Sequence, residues 1–375
     1  MNKAISLFLV LLAFAFLFVS CSSEGSVDEA FNCTITFDGN GATAGEMSAQ
    51  TAGRGVDLRL NANTFERTQH LFTGWNTEQD GSGTAYSDGQ KIKAAGNITL
   101  YAQWKIVPII LDSEMESWID GNVYTLNSSI TIYNRIAVSG SVTLILNDGY
   151  TLSAKQGIFV NEGNSLTIEA NGEGSGILEA TSDVGEAGIG GNSHNNCGTI
   201  IINGGTVNAN AKVFGAGIGG GVSGSGGTII INGGTVNATS LDGAGIGGGQ
   251  FGSGGTITIN EGIVNARSVE YGSGIGGGFL GSGGIITIYL GTVTATGAGG
   301  GAGIGGGKQG DGGAVTVNGG TVTASSEYGD GIGKGISGTS DGTLTLGDGV
   351  ALEVSSNNSD WSDYDGTRKK YMRTK

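Results

Sequence analysis

A phrase built from glycines around one isoleucine recurs through the second half of the chain at an almost constant interval. It reads Gly-Ala-Gly-Ile-Gly-Gly-Gly at residues 215–221, and its isoleucine returns after every 28 or 29 residues. The copies of this marker isoleucine are Ile189, Ile218, Ile246, Ile275, Ile304 and Ile332. A fixed period of this length indicates a solenoid, in which each repeat forms one coil and packs on its neighbours.

The spacing inside each repeat predicts two fixed edges and one variable edge. From the marker to the first residue of the next apolar strand the step is 10 residues in five copies and 11 in the last. A further 8 residues lead to the inward position of a second strand, at Val207, Val236, Val264, Val293, Val322 and Ala351. The return to the next marker takes 10 or 11 residues. Because surface loops absorb length changes that packed strands cannot, this return segment should be a loop, which we call the loop edge.

Alternation of apolar residues with threonine identifies the strands. In Thr256-Ile257-Thr258-Ile259 the two isoleucines should point inward and Thr258 outward. Glycine accounts for 76 of the 375 residues and would cost roughly 1 kcal/mol at each helical position, so helices are disfavoured. We therefore predict an all-β chain in which residues 123–355 form a right-handed parallel β-helix of 28–29 residues per coil. Stacking of equivalent residues at about 4.8 Å predicts an amide ladder. Its members would be Asn203, Asn232, Asn260 and Asn318.

The N-terminus has the features of an export signal. Residues 1–20 combine Lys3 with a long apolar run that ends in small residues. The junction Phe18-Val19-Ser20-Cys21 resembles a bacterial lipoprotein box, with an ordinary cleaved signal as the alternative. The resemblance implies that Cys21 is acylated and that residues 21–32 form a lipidated tether. It also implies a place in the bacterial cell envelope, at the outer membrane or cell surface, with the lipid as the sole membrane contact.

Residues 33–105 differ from the repeats and contain three aromatic phrases, at residues 33–41, 72–83 and 100–104. In this order the phrases resemble the Listeria–Bacteroides repeat, the B-repeat type of internalins and many bacterial surface proteins. That resemblance implies a small β-grasp-like module that spaces or adheres and is not catalytic. Because a small domain depends on a few large side chains, we expect an aromatic core. Its members would be Phe37, Phe72, Trp75, Tyr101 and Trp104, with sugar stacking by Trp75 as the alternative.

Two connecting segments complete the domain plan. Residues 106–122, which contain the one proline of the chain, should be a linker and N-terminal cap, with a short helix or loop over residues 112–118. Residues 356–375 are polar and then basic, and should form a C-terminal cap or tail. Cys33 and Cys197 are expected to be unpaired, although an exported protein would permit a disulfide between them.

The charge pattern argues against several functions. A formal net charge of −15 disfavours nucleic acid as a partner. A polysaccharide lyase or hydrolase would need carboxylates gathered with a nearby cation, and within residues 188–335 no two carboxylates hold the same place on adjacent coils within the fixed strands. We therefore expect no enzyme, cofactor or metal, and keep the enzyme as an alternative. An isolated calcium ion near Asp311, Asp330 and Asp341 is left open.

The glycine-rich coils resemble bacterial carbohydrate-binding β-helix domains. With the lipoprotein start and the B-repeat-like module, this implies a surface-anchored, non-catalytic protein for glycan binding or adhesion. Its partner would be an extracellular polysaccharide or a glycoprotein of a host or cell surface. A structural spacer or envelope component is the first alternative, and ice binding by outward threonine rows such as Thr206, Thr235, Thr292 and Thr321 is another.

The candidate ligand site lies on the loop edge. Phe214, Tyr271 and Tyr328 each stand four residues before a marker isoleucine and are two coils apart. Exposed rings at this position could stack on sugars while nearby carboxylates accept hydrogen bonds from hydroxyls. Those carboxylates are Asp242, Glu270, Glu327 and Asp330. The alternative is that the rings fold back and cover the ends of the apolar strands.

Overall fold

The computed structural model describes residues 32–375, and the chain divides at residue 105 into two compact units. Throughout the described residues every helix-or-strand element is a β-strand, which confirms the all-β prediction. Cys21 and the expected signal and tether up to residue 31 lie outside the described residues.

The N-terminal unit is a mixed sheet with a short two-stranded ribbon. In spatial order the five strands of the sheet are Gln50–Gly53, Asn32–Asp38, Ile98–Ile106, His70–Asn76 and Ala85–Tyr86. The first and last strands of the unit lie side by side and parallel, with Ile35 opposite Ile98. The ribbon pairs Asp57–Arg59 with Lys91–Lys93 in antiparallel fashion. This arrangement fits the expected small β-rich module.

The core of this unit is built around Trp75, which is 1% exposed. The rings of Phe37 and Phe72 each lie 4.9 Å from it, centroid to centroid. Trp104 packs against the same cluster, and its indole N–H donates to the Gly39 carbonyl at 2.9 Å. Because Trp75 is enclosed on all sides, its ring is not available for stacking on a sugar.

Tyr101 is the exception among the expected core aromatics. Its neighbours Leu100 and Ala102 are completely buried, and Tyr101 is not part of the apolar cluster. The reason is the two-residue period of a strand, which turns alternate side chains to opposite faces. The expectation for Tyr101 was therefore wrong.

The C-terminal unit is a parallel β-solenoid with three sheets, and it confirms the predicted fold class. Sheet 1 contains Ile109–Ile110, Val123–Thr125, Ser141–Asn147, Ser165–Asn171, Thr199–Ile202, Thr228–Ile231, Thr256–Ile259, Ile285–Ile288, Ala314–Val317 and Thr343–Leu346. Sheet 2 contains Ile130–Ile132, Thr151–Ala154, Ile177–Ser182, Thr206–Ala211, Thr235–Ser240, Ile263–Ser268, Thr292–Gly297 and Thr321–Ser326, followed by Tyr371–Thr374, Leu352–Ser355 and Ser362–Asp363. Sheet 3 contains Ser117–Trp118, Ile136–Val138, Ile158–Phe159, Ile189–Gly190, Ile218–Gly219, Ile246–Gly247, Ile275–Gly276, Ile304–Gly305 and Ile332–Gly333.

The marker isoleucines form one internal ladder of sheet 3. Ile246 pairs with Ile218 on one side and Ile275 on the other, and all six markers are completely buried. Ile257 and Ile259 also point inward, while Thr258 lies on the outer face, as predicted. Burying one such side chain contributes roughly 2 kcal/mol, so the repeated ladders supply most of the stabilisation of the coil stack.

The glycine after each marker is required by the backbone. Gly247 has a φ of 135°, and a Cβ there would collide with the carbonyl of Gly276 in the next coil. Only glycine adopts this conformation without strain and lets two coils approach so closely.

At the N-terminal end the parallel sheets begin before the expected residue 123. Ile109–Ile110 pairs in parallel with Tyr124 and Thr125, and Trp118 already belongs to sheet 3. Trp118 is completely buried and stacks on Tyr124 with centroids 5.5 Å apart. Residues 112–118 thus form a turn and a short strand rather than a helix. The two rings fill the interior of the first coil.

At the C-terminal end the parallel ladder of sheet 2 is replaced by antiparallel pairing. Tyr371–Thr374 lies between Thr321–Ser326 and Leu352–Ser355 and is antiparallel to both. The eight-residue step had predicted Ala351 as the next inward residue, but Ala351 is exposed and Leu352 is buried instead. The inserted strand changes the register, so that expectation was wrong.

The expected amide ladder forms over three of its four members. Asn232 donates to Asn203 at 2.8 Å and Asn260 donates to Asn232 at 2.6 Å, each from Nδ2 to Oδ1. Tyr289 occupies the next position, so Asn318 is cut off from the ladder. Cys33 and Cys197 are both buried and free, as expected.

Candidate functional site at the loop edge

Inward serines at the ends of sheet 2 strands anchor the loop edge. The Ser240 hydroxyl donates to the Gly215 carbonyl at 2.6 Å, and the Ser326 hydroxyl donates to the Gly301 carbonyl at 2.6 Å. In both cases the carbonyl belongs to the loop of the preceding coil. The loops are therefore tied to one another and hold their side chains in a defined order.

A two-residue turn after each sheet 3 strand lies against these loops. The Gln250 amide donates to the Phe214 carbonyl at 2.7 Å, and the Phe279 amide donates to the Asp242 carbonyl at 3.0 Å. One coil further on, the Lys308 amide donates to the Tyr271 carbonyl at 2.7 Å. Each turn thus contacts the loop residue that stands four before the marker of the preceding coil. These hydrogen bonds align Phe214, Asp242 and Tyr271 in one column along the loop edge.

The second residue of each turn has a positive φ, even though it is not glycine. Phe251 has a φ of 69°, and its amide donates to the Phe279 carbonyl at 2.7 Å. The equivalent residues Ser223, Leu280 and Gln309 share this left-handed conformation. A non-glycine residue at positive φ is strained unless the surroundings hold it, and here the coil-to-coil hydrogen bonds do so.

Three rings meet at this place, and we call them the aromatic cluster: Phe251, Tyr271 and Phe279. The centroid of Phe279 lies 6.0 Å from that of Phe251 and 5.4 Å from that of Tyr271. Lys308 places its Nζ 4.5 Å from the centre of the Tyr271 ring. Phe251 is 51% exposed, whereas Tyr271 and Phe279 are half-buried. One side of the cluster is thus exposed to solvent, while the other side packs against the protein.

Asp242 is the buried acid of this site. It is 7% exposed, and its Oδ1 has no hydrogen-bond partner in the structure. Its Oδ2 accepts a long hydrogen bond of 3.5 Å from the Gln250 side chain. Burial, and to a lesser degree the charge of Glu270, raise the pKa of Asp242. An unpaired buried carboxylate is costly, and this cost of the charged form is the physical cause of the raised pKa.

The remaining predicted site residues form a separate C-terminal group. Tyr328 is 54% exposed, its pKa is raised by a hydrogen bond to Glu327, and Lys370 lies 5.5 Å from its ring centre. Asp330 is partly buried, and burial and the neighbouring Asp341 raise its pKa. In the intervening coil Gly300 stands four residues before the marker and provides no side chain. The predicted residues therefore fall into two groups.

The three aspartates that left room for calcium each interact with the charge of Lys334. Asp311 accepts hydrogen bonds from the amides of Thr339 and Ser340, both at 2.8 Å, and these bonds lower the pKa of Asp311. Asp341 pairs with Lys334 at 2.8 Å. Among residues 32–375 no group of three His, Cys, Asp or Glu side chains is placed to hold a metal ion.

Arg135 is a largely enclosed charge that the sequence patterns did not single out. Its guanidinium donates to the Asn192 side chain at 2.5 Å and the Gln156 carbonyl at 2.6 Å, and lies 3.5 Å from the Glu186 carboxylate. Burial lowers the pKa of Arg135 to about 10, so it remains charged at neutral pH. With its donors used in this way, Arg135 ties neighbouring coils together.

Phe251 and Phe279 were missed because the predicted column included loop residues alone. Both lie in the two-residue turns between glycines, at residues 249–252 and 278–281. The sequence did carry a sign of this site. At these turn positions it has large apolar residues, whereas neighbouring coils have Ser, Gln or Lys there.

Comparison with known proteins supports the order of the modules. The family description of the Listeria-Bacteroides repeat domain matches residues 34–103. The description of the Beta helix repeat matches residues 200–222, 229–250, 257–279, 286–308 and 315–333. The chain is thus similar to the first family in its N-terminal unit and to the second in its coils.

Two proteins of Evansella cellulosilytica resemble parts of the chain. One, provisionally named a Gly-rich membrane protein, is 31% identical over 132 residues, which are 32% of this chain and 14% of the relative. The other, provisionally named a membrane protein, is 35% identical over 77 residues, which are 20% of this chain and 11% of the relative. The matched parts thus span less than a sixth of either relative. No solved structure is significantly similar to this chain. In residues 32–375 there is no helix that is long and apolar enough to cross a membrane.

Proposed function

We propose that this protein is a non-catalytic component of the bacterial cell surface that binds an extracellular glycan through the aromatic cluster. The observation that carries the proposal is the arrangement of Phe251, Phe279 and Tyr271, with Phe251 half exposed and Lys308 against Tyr271. Aromatic faces stack on the apolar faces of sugars, and the polar groups around them pair with hydroxyls.

The polar surroundings suit a sugar. Gln250 and Lys308 supply N–H donors, and Glu270 supplies an acceptor close to Asp242. Pockets that recognise small polar ligands combine apolar walls with a few convergent polar groups in this way. The backbone ladder between turns and loops holds these groups on a rigid scaffold, so little entropy is lost on binding.

The envelope location is part of the same proposal. The lipoprotein-like junction at Cys21, the Listeria–Bacteroides-type module and the names of two relatives all support a place at the cell surface. The lipid on Cys21 would hold the protein on the membrane. Its partner would be an extracellular polysaccharide or a cell-surface glycoprotein.

The test is a glycan array probed with the full-length chain in detergent, followed by titration of the best ligand. The decisive variant combines Phe251→Ser with Phe279→Val. Both new residues already occur at the equivalent turn positions, since Ser223 corresponds to Phe251 one coil earlier and Val222 corresponds to Phe279 two coils earlier. Loss of two stacking rings at about 1 kcal/mol each should weaken binding about thirtyfold.

Tyr133→Ala is the matched control, because this ring is 71% exposed and lies on the loop edge of an N-terminal coil, far in sequence from the aromatic cluster. Its binding should equal that of the wild type. Absence of any glycan ligand for the folded chain would favour the structural spacer instead. Cleaved glycan products would show that the protein is an enzyme.

A further inference from the structure

An open groove follows the corner between sheet 1 and sheet 2. It consists of two adjoining cavities of about 420 and 560 Å³ that share Gly234. The groove runs from Gly172 to Gly291 and crosses five coils. With a coil spacing of about 4.8 Å, it is about 19 Å long.

The groove exists because glycines form its floor. Gly234 has a φ of 79°, and a Cβ there would lie 2.5 Å from the Gly205 carbonyl, so this position needs glycine. Gly233 is different, since its Cβ would lie 3.0 Å from the Asn203 carbonyl and no closer to any other atom. The next two coils carry Glu261 and Leu290 at the equivalent position. The groove therefore has a glycine floor at Gly204 and Gly233, whereas the side chains of Glu261 and Leu290 line its C-terminal part.

The amide ladder of Asn203, Asn232 and Asn260 runs beside the groove, because each of these residues directly precedes a lining residue, namely Gly204, Gly233 or Glu261. Each side-chain amide has two N–H donors and an oxygen with two lone pairs. Asn232, the central member of the ladder, uses one donor and one lone pair in the ladder itself. Further donors and acceptors therefore remain for a ligand, repeated at every coil. Tyr289, which is 48% exposed, follows at the end of the ladder.

The lining of the groove includes the first residues of sheet 2 strands. Thr206, Thr235 and Thr292 line the groove with hydroxyls, and the exposed Ile263 lies between them. Hydroxyls in the lining and amides beside it offer hydrogen bonds to a chain laid along the solenoid axis.

We propose that this corner groove binds an extended, uncharged polysaccharide that lies parallel to the solenoid axis. The coil repeat of about 4.8 Å is close to the length of one sugar unit in an extended chain, so each unit meets the same amide donor and acceptor. Tyr289 and Leu290 supply an apolar surface for the terminal unit. The groove adds a second site to the proposed function and does not depend on the aromatic cluster.

The charges select against acidic polymers. Glu173 and Glu261 line the groove, and its described lining residues include no lysine or arginine. The chain also carries a net charge of −15. A polyanion would therefore be repelled, whereas a neutral glycan would not.

The experiment is calorimetric titration of the full-length chain in detergent with cellohexaose as the extended probe. Cellotriose tests the length dependence, maltohexaose is the curved comparison, and an oligogalacturonate is the charged comparison. Cellohexaose should bind more tightly than cellotriose and maltohexaose, and the oligogalacturonate should not bind. Equal affinity for the curved and extended probes would overturn the proposal, as would absence of binding by a folded chain.

Two variants locate the site. Asn232→Ala removes the central amide and should weaken the affinity for cellohexaose about fivefold, which corresponds to the loss of about one hydrogen bond. Asn237→Ala is the matched control, since Asn237 makes the same kind of ladder bond to Asn208 at 2.8 Å on sheet 2, two residues beyond the groove-lining Thr235, and should bind like the wild type. Gly233→Leu copies Leu290 into the open part of the groove and should abolish binding with an unchanged circular dichroism spectrum.

The double variant Phe251→Ser with Phe279→Val separates this inference from the proposed function. Cellohexaose binding that survives this double variant and is lost in Gly233→Leu supports the groove. Binding that is lost in the double variant and unchanged in Gly233→Leu and Asn232→Ala overturns the groove and leaves the aromatic cluster as the site.

Discussion

Met372 in the last strand lies opposite Ala324 in antiparallel register and is completely buried. Its sulfur accepts a hydrogen bond from the amide of Ile332 at 3.3 Å, and Val354 flanks it on the other side. The basic C-terminal segment is thus part of the core of the last coils. Its antiparallel insertion also covers the edge of Thr321–Ser326, which would otherwise offer unpaired backbone groups to another chain.

We expect Met372→Asp to destabilise the C-terminal coils by several kcal/mol, because it places a charge in an apolar interior. The free strand edge should then promote association, and analytical ultracentrifugation over a range of concentrations measures this. Lys375→Ala is the control, since its pairing with the exposed Asp363 is a solvated surface contact that contributes little to stability. A Met372→Asp protein that melts like the control would show that the last strand is not needed.

The ladder of marker isoleucines gives a second prediction. Ile246→Asp should cost several kcal/mol, because Ile246 is completely buried between Ile218 and Ile275. Thr258→Asp on the outer face of sheet 1 should cost less than about 1 kcal/mol. Denaturant unfolding followed by circular dichroism compares the two. Equal losses would contradict the assignment of inward and outward faces.

Much of the solenoid could be predicted because its spacings are constant. The steps of 10 and 8 residues located the first residues of sheet 1 strands and the inward valines from Val207 to Val322. The same rule was wrong at Ala351, because a constant step assumes another parallel coil. Residues 371–374 offer one strongly apolar inward side chain, Met372, and no repeat to align, so their insertion could not be anticipated.

The candidate site was less predictable, because it depends on contacts between coils. The loop column with Phe214 and Tyr271 could be found by counting back from the markers. Its meeting with Phe251 and Phe279 is set by backbone hydrogen bonds from each turn to the loop of the preceding coil. These bonds join residues distant in sequence and leave no pattern in side-chain type.

The lipid anchor is a prediction about a residue outside the described part of the chain. We expect Cys21 to incorporate an acyl analogue during growth, because it follows the apolar run at a lipoprotein-like junction. Cys21→Ala should lose the label and leave the membrane fraction. Cys197→Ala is the control, since the Cys197 thiol is completely enclosed and burial raises its pKa to about 12. Equal labelling of the Cys21→Ala variant and the wild type would refute lipidation.

Asp242 gives a prediction about pH. Burial and Glu270 raise its pKa in the folded protein above its ordinary value of 3.8. The folded chain therefore holds this proton more tightly than the unfolded chain does. The stability that Asp242 contributes is complete below the ordinary value and is lost as the pH rises through the raised folded value.

Asp242→Asn keeps the shape of the side chain and cannot ionise, so it should be more stable than the wild type at neutral pH. The gain should be on the order of 1 kcal/mol, because the amide removes the buried negative charge that raises the pKa of Asp242. At pH 3 the difference should shrink, because the wild-type carboxyl is then protonated in both states. Thermal unfolding of both proteins across this range measures the effect, and Asp311→Asn is the matched control.

Hydrogen bonds from residues 339–340 lower the pKa of Asp311, so replacement of its carboxylate should destabilise the protein at neutral pH. An Asp242→Asn protein that is less stable than the wild type at pH 7 would mean that the ionised carboxylate has a partner in solution, such as a bound cation.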